Sequence, residues 1–211
     1  MANWNKTYSM RQRLQQEGKI KIINGIDYYQ GLPIIHRDSE INGVYLGQSK
    51  REAIVVDPYS PKLRELYNIA KIKATVGNTV RKDLILESVF QTVKEAMPIQ
   101  KENAVDKIVY EYRAENDGLM PLDVFIERRT GVCRQDALAC AAPLAAFKRE
   151  GLVNGMPSVD RNSTEVGGHA WCRYKNSIGE VYILDVAQDF LGRLEKAPDP
   201  KRWHYERPED F

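Results

Sequence analysis

The chain has 211 residues, 43% of them hydrophobic and 28% charged, with a formal charge of +2. That is enough apolar material for one substantial core, and too little net charge to argue for a nucleic-acid or membrane-surface partner. No apolar run approaches the roughly 20 residues that a bilayer span needs, the opening MANWNKTYSMRQRLQQ has no apolar leader segment, and three cysteines make no disulfide framework.

The expected compartment is therefore the reducing cytoplasm, with export by a route that needs no cleaved leader left open. In chain order, KIKIINGIDYY (19–29) has apolar residues alternating on both sides of Asn24-Gly25. Both turn residues accept positive φ, so a type I′ hairpin is predicted. Residues 43–57 read as a second pair of short strands, and 61–72 as a short helix after the Pro58/Pro61 break. Thr79 is a predicted N-cap for a helix from Val80 to about Met97, burying Leu84, Ile85, Val89, Phe90 and Val93 and stopped by Pro98. A further helix is predicted over about 102–114, with Val105, Ile108, Val109 and Tyr112 at helical spacing.

The central helix is predicted from Gly131 to Lys148. Cys133, Ala137, Cys140, Leu144 and Phe147 form one stripe, and six alanines leave so little bulk that other elements can approach from every side. Pro143 is expected to kink it or loosen one turn; Lys148, Arg149 and Gly151 make the stop. The pattern then changes to period two. GGHAWCRYK (167–175), the turn NSIG and EVYILDV (180–186) read as an antiparallel hairpin, and Trp203 and Tyr205 are expected to dock the polar tail. Helices first and strands later give an α+β fold. No linker is visible, so a single domain over 1–211 is expected, with a β-rich N-terminal extension over 1–60.

Cys133 opens the central helix. A helix N-terminus offers unpaired N–H groups and partial positive charge, which favour a thiolate and suit a developing oxyanion; the competing reading is a small core filler. Of three histidines, His36 reads as a surface loop residue and His204 as a packed or solvent-facing tail residue. His169 opens a strand after Gly167-Gly168. Asp185 interrupts the apolar strand VYILDVA, where an acid is costly unless paired. An odd hairpin loop puts His169 and Asp185 on one face, directly opposite for a loop of 176–178 or 175–179; a four-residue loop separates them. Cys172 points the other way, as core. The three cysteines and His169 contain no CxxC or HxxxH pair, so no metal site is expected.

GVCRQDALA, GGHAW and YILDVA together are similar to the Cys, His and Asp motifs of the transglutaminase-like superfamily, over about 84–192, with the core proper at 80–192. The resemblance implies a papain-like α+β fold: a cysteine-bearing central helix on an antiparallel sheet that carries His and Asp. It implies Cys133 as nucleophile, His169 as general base and acid, and Asp185 as the group holding the imidazole. The sequence departs from the family at Asp185-Val186, where Asp-Pro is common, and does not place the side chain that completes the oxyanion hole. Trp171 either walls the substrate groove or is a sheet-face core residue. Arg134 either binds an acidic substrate group or pairs with Asp136 or another acid. The implied activity is a cysteine-dependent amide hydrolase or acyltransferase forming a thioester acyl-enzyme on a peptide or protein, without metal or cofactor and with peptidase activity favoured. The alternatives are a catalytically silent protein-binding module and, more remotely, an arylamine acetyltransferase.

Overall fold

The computed structural model describes residues 9–48, 51–98, 102–165, 167–197 and 204–208. Helix α1 (Ser9–Gln16) precedes β1 (Ile20–Ile23) and β2 (Ile26–Tyr29). The two strands form the expected hairpin. Asn24 and Gly25 adopt φ of 52° and 78°, the left-handed pair that a type I′ turn demands and that glycine takes without a Cβ clash. Strand β3 (Leu32–Pro33) extends this sheet. Strands β4 (Gly43–Tyr45) and β5 (Ala53–Val56) are the second antiparallel pair, and α2 (Pro61–Lys73) follows where a helix was expected.

The next helix starts later than its periodicity suggests. Thr75-Val76 and Thr79-Val80, β-branched pairs on either side of Gly77-Asn78, close into a two-stranded ribbon, β6 (Thr75–Val76) and β7 (Thr79–Val80). Thr79 is therefore no N-cap. A 3-10 turn at Lys82–Leu84 leads into α3 (Ile85–Ala96), which buries Ile85, Val89, Phe90 and Val93 as predicted. Helix α4 (Glu102–Glu111) ends before 114; Val105, Ile108 and Val109 are buried, and Tyr112 lies beyond the helix, half exposed. Strand β8 (Leu119–Pro121) then pairs in parallel with β5, and α5 (Leu122–Glu127) leads to α6 (Cys133–Arg149). The remaining strands are β9 (Met156–Thr164), β10 (Gly167–Lys175), β11 (Val181–Asp185) and β12 (Phe190–Arg193). They form one antiparallel sheet ordered β12-β11-β10-β9. Neither β9 nor β12 was foreseen.

Helix α6 packs across β9, β10 and β11 on one side and against α2, α3 and α5 on the other. Its alanines allow this double embrace. Every side chain from Gln135 to Leu144 is buried, and so is Phe147; Leu138, Leu144 and Phe147 each contribute about 1.5–3 kcal/mol by leaving water. The helix continues through Pro143 to Arg149. Ile35, Ile41, Tyr45, Ile54 and Val56 belong to the same apolar cluster as α6. Part of the N-terminal stretch thus joins the main core, while Met10, Leu14, Tyr29, Ile34, Val44, Leu46 and Ala53 make a second cluster; among the described residues it includes a helix as well as strands.

The sheet's other face carries polar groups. Ser158, Asp160 and Asn162 of β9 and Arg173 of β10 are all buried there, beneath residues 204–208. Arg207 grips Asp160 with Nε and Nη2 (2.7 and 2.6 Å) and also donates to Ser158 and Asp38. Tyr205 is 1% exposed and meets Trp171 edge-on at 4.9 Å. Tyr205 docks the tail as expected; Trp203 lies outside the described residues.

Candidate active site

Three elements converge at the N-terminal end of α6. Val132 is its N-cap residue and has no side-chain oxygen or nitrogen to offer the opening turn. Gln135 instead turns back to accept the Val132 N–H at 3.2 Å. The N–H groups of Cys133 and Arg134, with no carbonyl a turn earlier, are open to an anion.

Loop residues 176–180 join β10 to β11, five in number, with Lys175 opposite Val181 and Cys172 opposite Leu184. The odd length keeps the required parity, but the register is shifted by two from direct opposition. Asp185 falls beside position 171, and His169 lies one diagonal step away on the same face. That step is short enough for contact: the His169 Nε2–H donates to Asp185 Oδ2 at 2.5 Å. The carboxylate also accepts from the Tyr205 hydroxyl at 2.8 Å and from the Gln188 N–H at 3.1 Å. With Nε2 engaged, Nδ1 is the ring nitrogen left for Cys133, whose thiol hydrogen-bonds the imidazole and receives the Ala170 N–H.

The electrostatics follow from these contacts. Burial pushes the Cys133 thiol up, but the hydrogen bond and positive charge of His169, the Ala170 N–H and Arg134 outweigh it, so its pKa falls below the ordinary value. Burial pulls His169 down, but Asp185 and Cys133 raise it to about 9. Both shifts favour a thiolate beside an imidazolium. Cys140 and Cys172 are fully buried, and burial drives both thiols well up. Cys133 is the cysteine with solvent access.

The thiol and imidazole face a solvent-open cavity of about 330 Å³ whose wall includes Gln48, Arg51, Arg134, Arg161 and Gly168. A Cβ at Gly168 would stand 2.8 Å from Nε2 of Gln48, so the bare glycine leaves that amide its place on the cavity wall. Trp171 does not wall this cavity. It shares a sheet face with His169, two residues back, but is completely buried there under Tyr205 and Ile183. Arg134 does pair with an acid, though not with Asp136. Residues two apart on a helix do not face each other, and Arg134 reaches Glu52 at 2.5 Å instead. Of the other histidines, His36 contacts Asp27 at 3.2 Å, and the His204 carbonyl accepts from Asn162. Among the described residues no cluster of three His, Cys, Asp or Glu side chains is placed to hold a metal, and no helix is long and apolar enough to cross a membrane.

Gln48, Glu52, Arg161 and Tyr205 were not assigned to the site from the sequence. Glu52, the acid that opens the apolar run EAIVV, was the most legible of them. It is 1% exposed and accepts from Arg134 Nη2 and from Gln135 Nε2 at 3.0 Å, so it braces the first turn of α6. Replacing Glu52 with Ala leaves a buried guanidinium and an amide without their acceptor, a cost of about 3–5 kcal/mol. In a chain of this size that lowers the thermal midpoint by roughly 10 °C, measurable by circular dichroism; Glu52→Gln, which keeps an acceptor oxygen, loses less. An unchanged midpoint for Glu52→Ala contradicts this role. Comparison with protein-family models, with curated proteins and with solved structures gives no match to the chain.

Proposed function

We propose that the protein is a cysteine-dependent amide hydrolase or acyltransferase of transglutaminase-like type, acting on a peptide or protein carbonyl, with hydrolysis favoured. The observation that carries this is the continuous hydrogen-bonded chain from Cys133 through His169 to Asp185, ending in a thiol that opens onto a cavity. A cysteine at the start of a helix packed on an antiparallel sheet bearing His and Asp is also the arrangement implied by the resemblance, which supports a papain-like core.

In the proposed reaction the thiolate attacks the amide carbon. A C–S bond forms and the carbonyl electrons move onto oxygen, for which the Cys133 N–H at the start of α6 and the Gln48 amide on the cavity wall are the proposed donors. The imidazolium gives its proton to the departing nitrogen as the C–N bond breaks, leaving a thioester. Neutral His169 then takes a proton from water as its oxygen attacks, and the thiolate leaves. Asp185, fixed by Tyr205 and the Gln188 N–H, holds the ring in the tautomer that keeps Nδ1 toward sulfur.

The test is alkylation by iodoacetamide as a function of pH. Cys133 is expected to react near pH 6, where an ordinary thiol is well under 1% ionised, while Cys140 and Cys172 stay intact by peptide mass spectrometry. A second change in rate is expected near pH 9 as the imidazolium discharges. Three equally sluggish thiols at pH 6 would instead point to a binding module that retains the fold without the chemistry. Substrates are then sought by trapping on Cys133→Ala.

A further inference from the structure

The cavity wall beside Cys133 is cationic: Arg51, Arg134 and Arg161 line it, and no carboxylate does among the described residues. Two of the three are already matched to acids, Arg134 to Glu52 and Arg51 to Asp106, each at 2.5 Å. Arg161 is not. Among the described residues it donates Nη1 to the Leu46 carbonyl at 3.2 Å, lies over the Tyr45 ring at 5.7 Å, and meets no acid. Its place is set by the sheet: Arg161 sits across the β9–β10 ladder from Ala170, whose own N–H is bonded to the Cys133 sulfur. Beside it, Tyr45 is 4% exposed; Arg161 is its hydrogen-bond donor, and its own buried O–H has no acceptor among the described residues. A buried hydroxyl without an acceptor is a standing cost. Burial raises its pKa, with Arg161 lowering it and Cys133 raising it to smaller extents. A guanidinium on the wall of the Cys133 cavity with no acid to match it lacks one thing: an anionic acceptor.

We infer that the acyl donor carries a carboxylate close to its scissile carbonyl, seated on Arg161 where that guanidinium lines the cavity. This rests on Cys133 being the nucleophile of the proposed reaction. An acidic side chain and a free chain terminus present the same group, and the test separates them.

Iodoacetate and iodoacetamide both alkylate a thiolate by the same displacement, the C–S bond forming as iodide leaves with the C–I electrons. They differ in the carboxylate. At pH 7 and low salt, the ratio of iodoacetate to iodoacetamide rates at Cys133 is expected to exceed that of glutathione by roughly tenfold or more, the worth of one charge-assisted hydrogen bond. The ratio should fall most of the way back in Arg161→Gln, less in Arg161→Lys, and should shrink with added salt as charges are screened. The imidazolium is common to all these variants, so a ratio unmoved by Arg161→Gln assigns the effect to His169 and overturns the inference. Should Arg161→Gln not fold, a wild-type ratio near that of glutathione, or one indifferent to salt, overturns it equally. Slow reaction with both reagents sinks the nucleophile reading instead, a separate outcome. Protection of Cys133 by N-acetyl-aspartyl amide assigns the carboxylate to a side chain, protection by N-acetylglycine assigns it to a terminus, and protection by neither counts against the site.

Discussion

His169→Ala is expected to slow alkylation of Cys133 at pH 6 by at least about a hundredfold. Without the imidazole, what remains is burial, which pushes the thiol up, against the Ala170 N–H and Arg134. A thiol returned to pKa 9 is about 0.1% ionised at pH 6, and the higher intrinsic nucleophilicity of a more basic thiolate recovers only part of the loss. Asp185→Asn reaches the same end by a different route. Asp185 is the largest of the influences that raise His169 to about 9, and burial opposes them. With the carboxylate's charge gone the ring discharges at much lower pH, and the thiolate loses its cation. The variant should therefore show its fast phase displaced to higher pH, with a loss of tenfold or more at pH 6. Tyr205→Phe removes one of three donors to the carboxylate and leaves the His169–Asp185 contact in place, so its profile should move less than either. Stopped-flow or mass-spectrometric alkylation rates from pH 5 to 10 separate the three. A wild-type profile retained in His169→Ala would mean that the helix terminus alone ionises the thiol, and the triad would be abandoned.

The parts of this site that the sequence made legible are those encoded by local rules. A cysteine next to a helix start, Gly-Gly before a histidine and an acid inside an apolar strand each break a pattern, and α6, β10 and β11 are found where those patterns put them. The register differs by two from direct opposition because the loop runs over 176–180 rather than 175–179, and parity is kept since the shift is even. Strand β9 was missed for a different reason. MPSVDRNST shows no apolar alternation, because one of its faces meets α6 while the other is buried under charge: Ser158, Asp160 and Asn162 meet Arg207 and the His204 carbonyl, which lie some forty to fifty residues away in the chain. A strand whose polar face is covered by a polar tail looks like a loop to any rule that equates polarity with exposure. The same covered face decides between the two readings of Trp171. With an open sheet face it would have been a groove wall; the docking of Tyr205 makes it core. Gln48, Glu52 and Arg161 reach the site only through tertiary folding, β4 to β5 against α6 and β9 against β10, which no local spacing records.

Asp136 gives the second large expected effect, and its sign is opposite to that of a paired acid. It lies in the second position of α6 beyond Arg134, 1% exposed, with neither carboxyl oxygen hydrogen-bonded. Gly131 leaves it room: a Cβ there would stand 2.9 Å from Oδ1. Burial, and then the negative charge of Asp185, push its pKa up to about 8, with His169 offsetting part of the rise. The folded protein therefore holds this proton more tightly than the unfolded chain does. Stability from that difference is full below pH 4, where both states are protonated, and is lost progressively as pH rises to about 8, where the native group ionises. At about 1.4 kcal/mol per pKa unit, the span is on the order of 5 kcal/mol. His169 adds a loss of the same sign between its unfolded value of 6.5 and about 9. Asp136→Asn is neutral throughout and removes only the first contribution. Urea unfolding of the two proteins should give nearly equal free energies at pH 4, with the variant pulling ahead by several kcal/mol by pH 8 while both still decline together above pH 7 as His169 discharges. Parallel curves from pH 4 to 8 would show that Asp136 is ionised in the folded protein, with a counter-charge or water satisfying oxygens that this packing leaves bare.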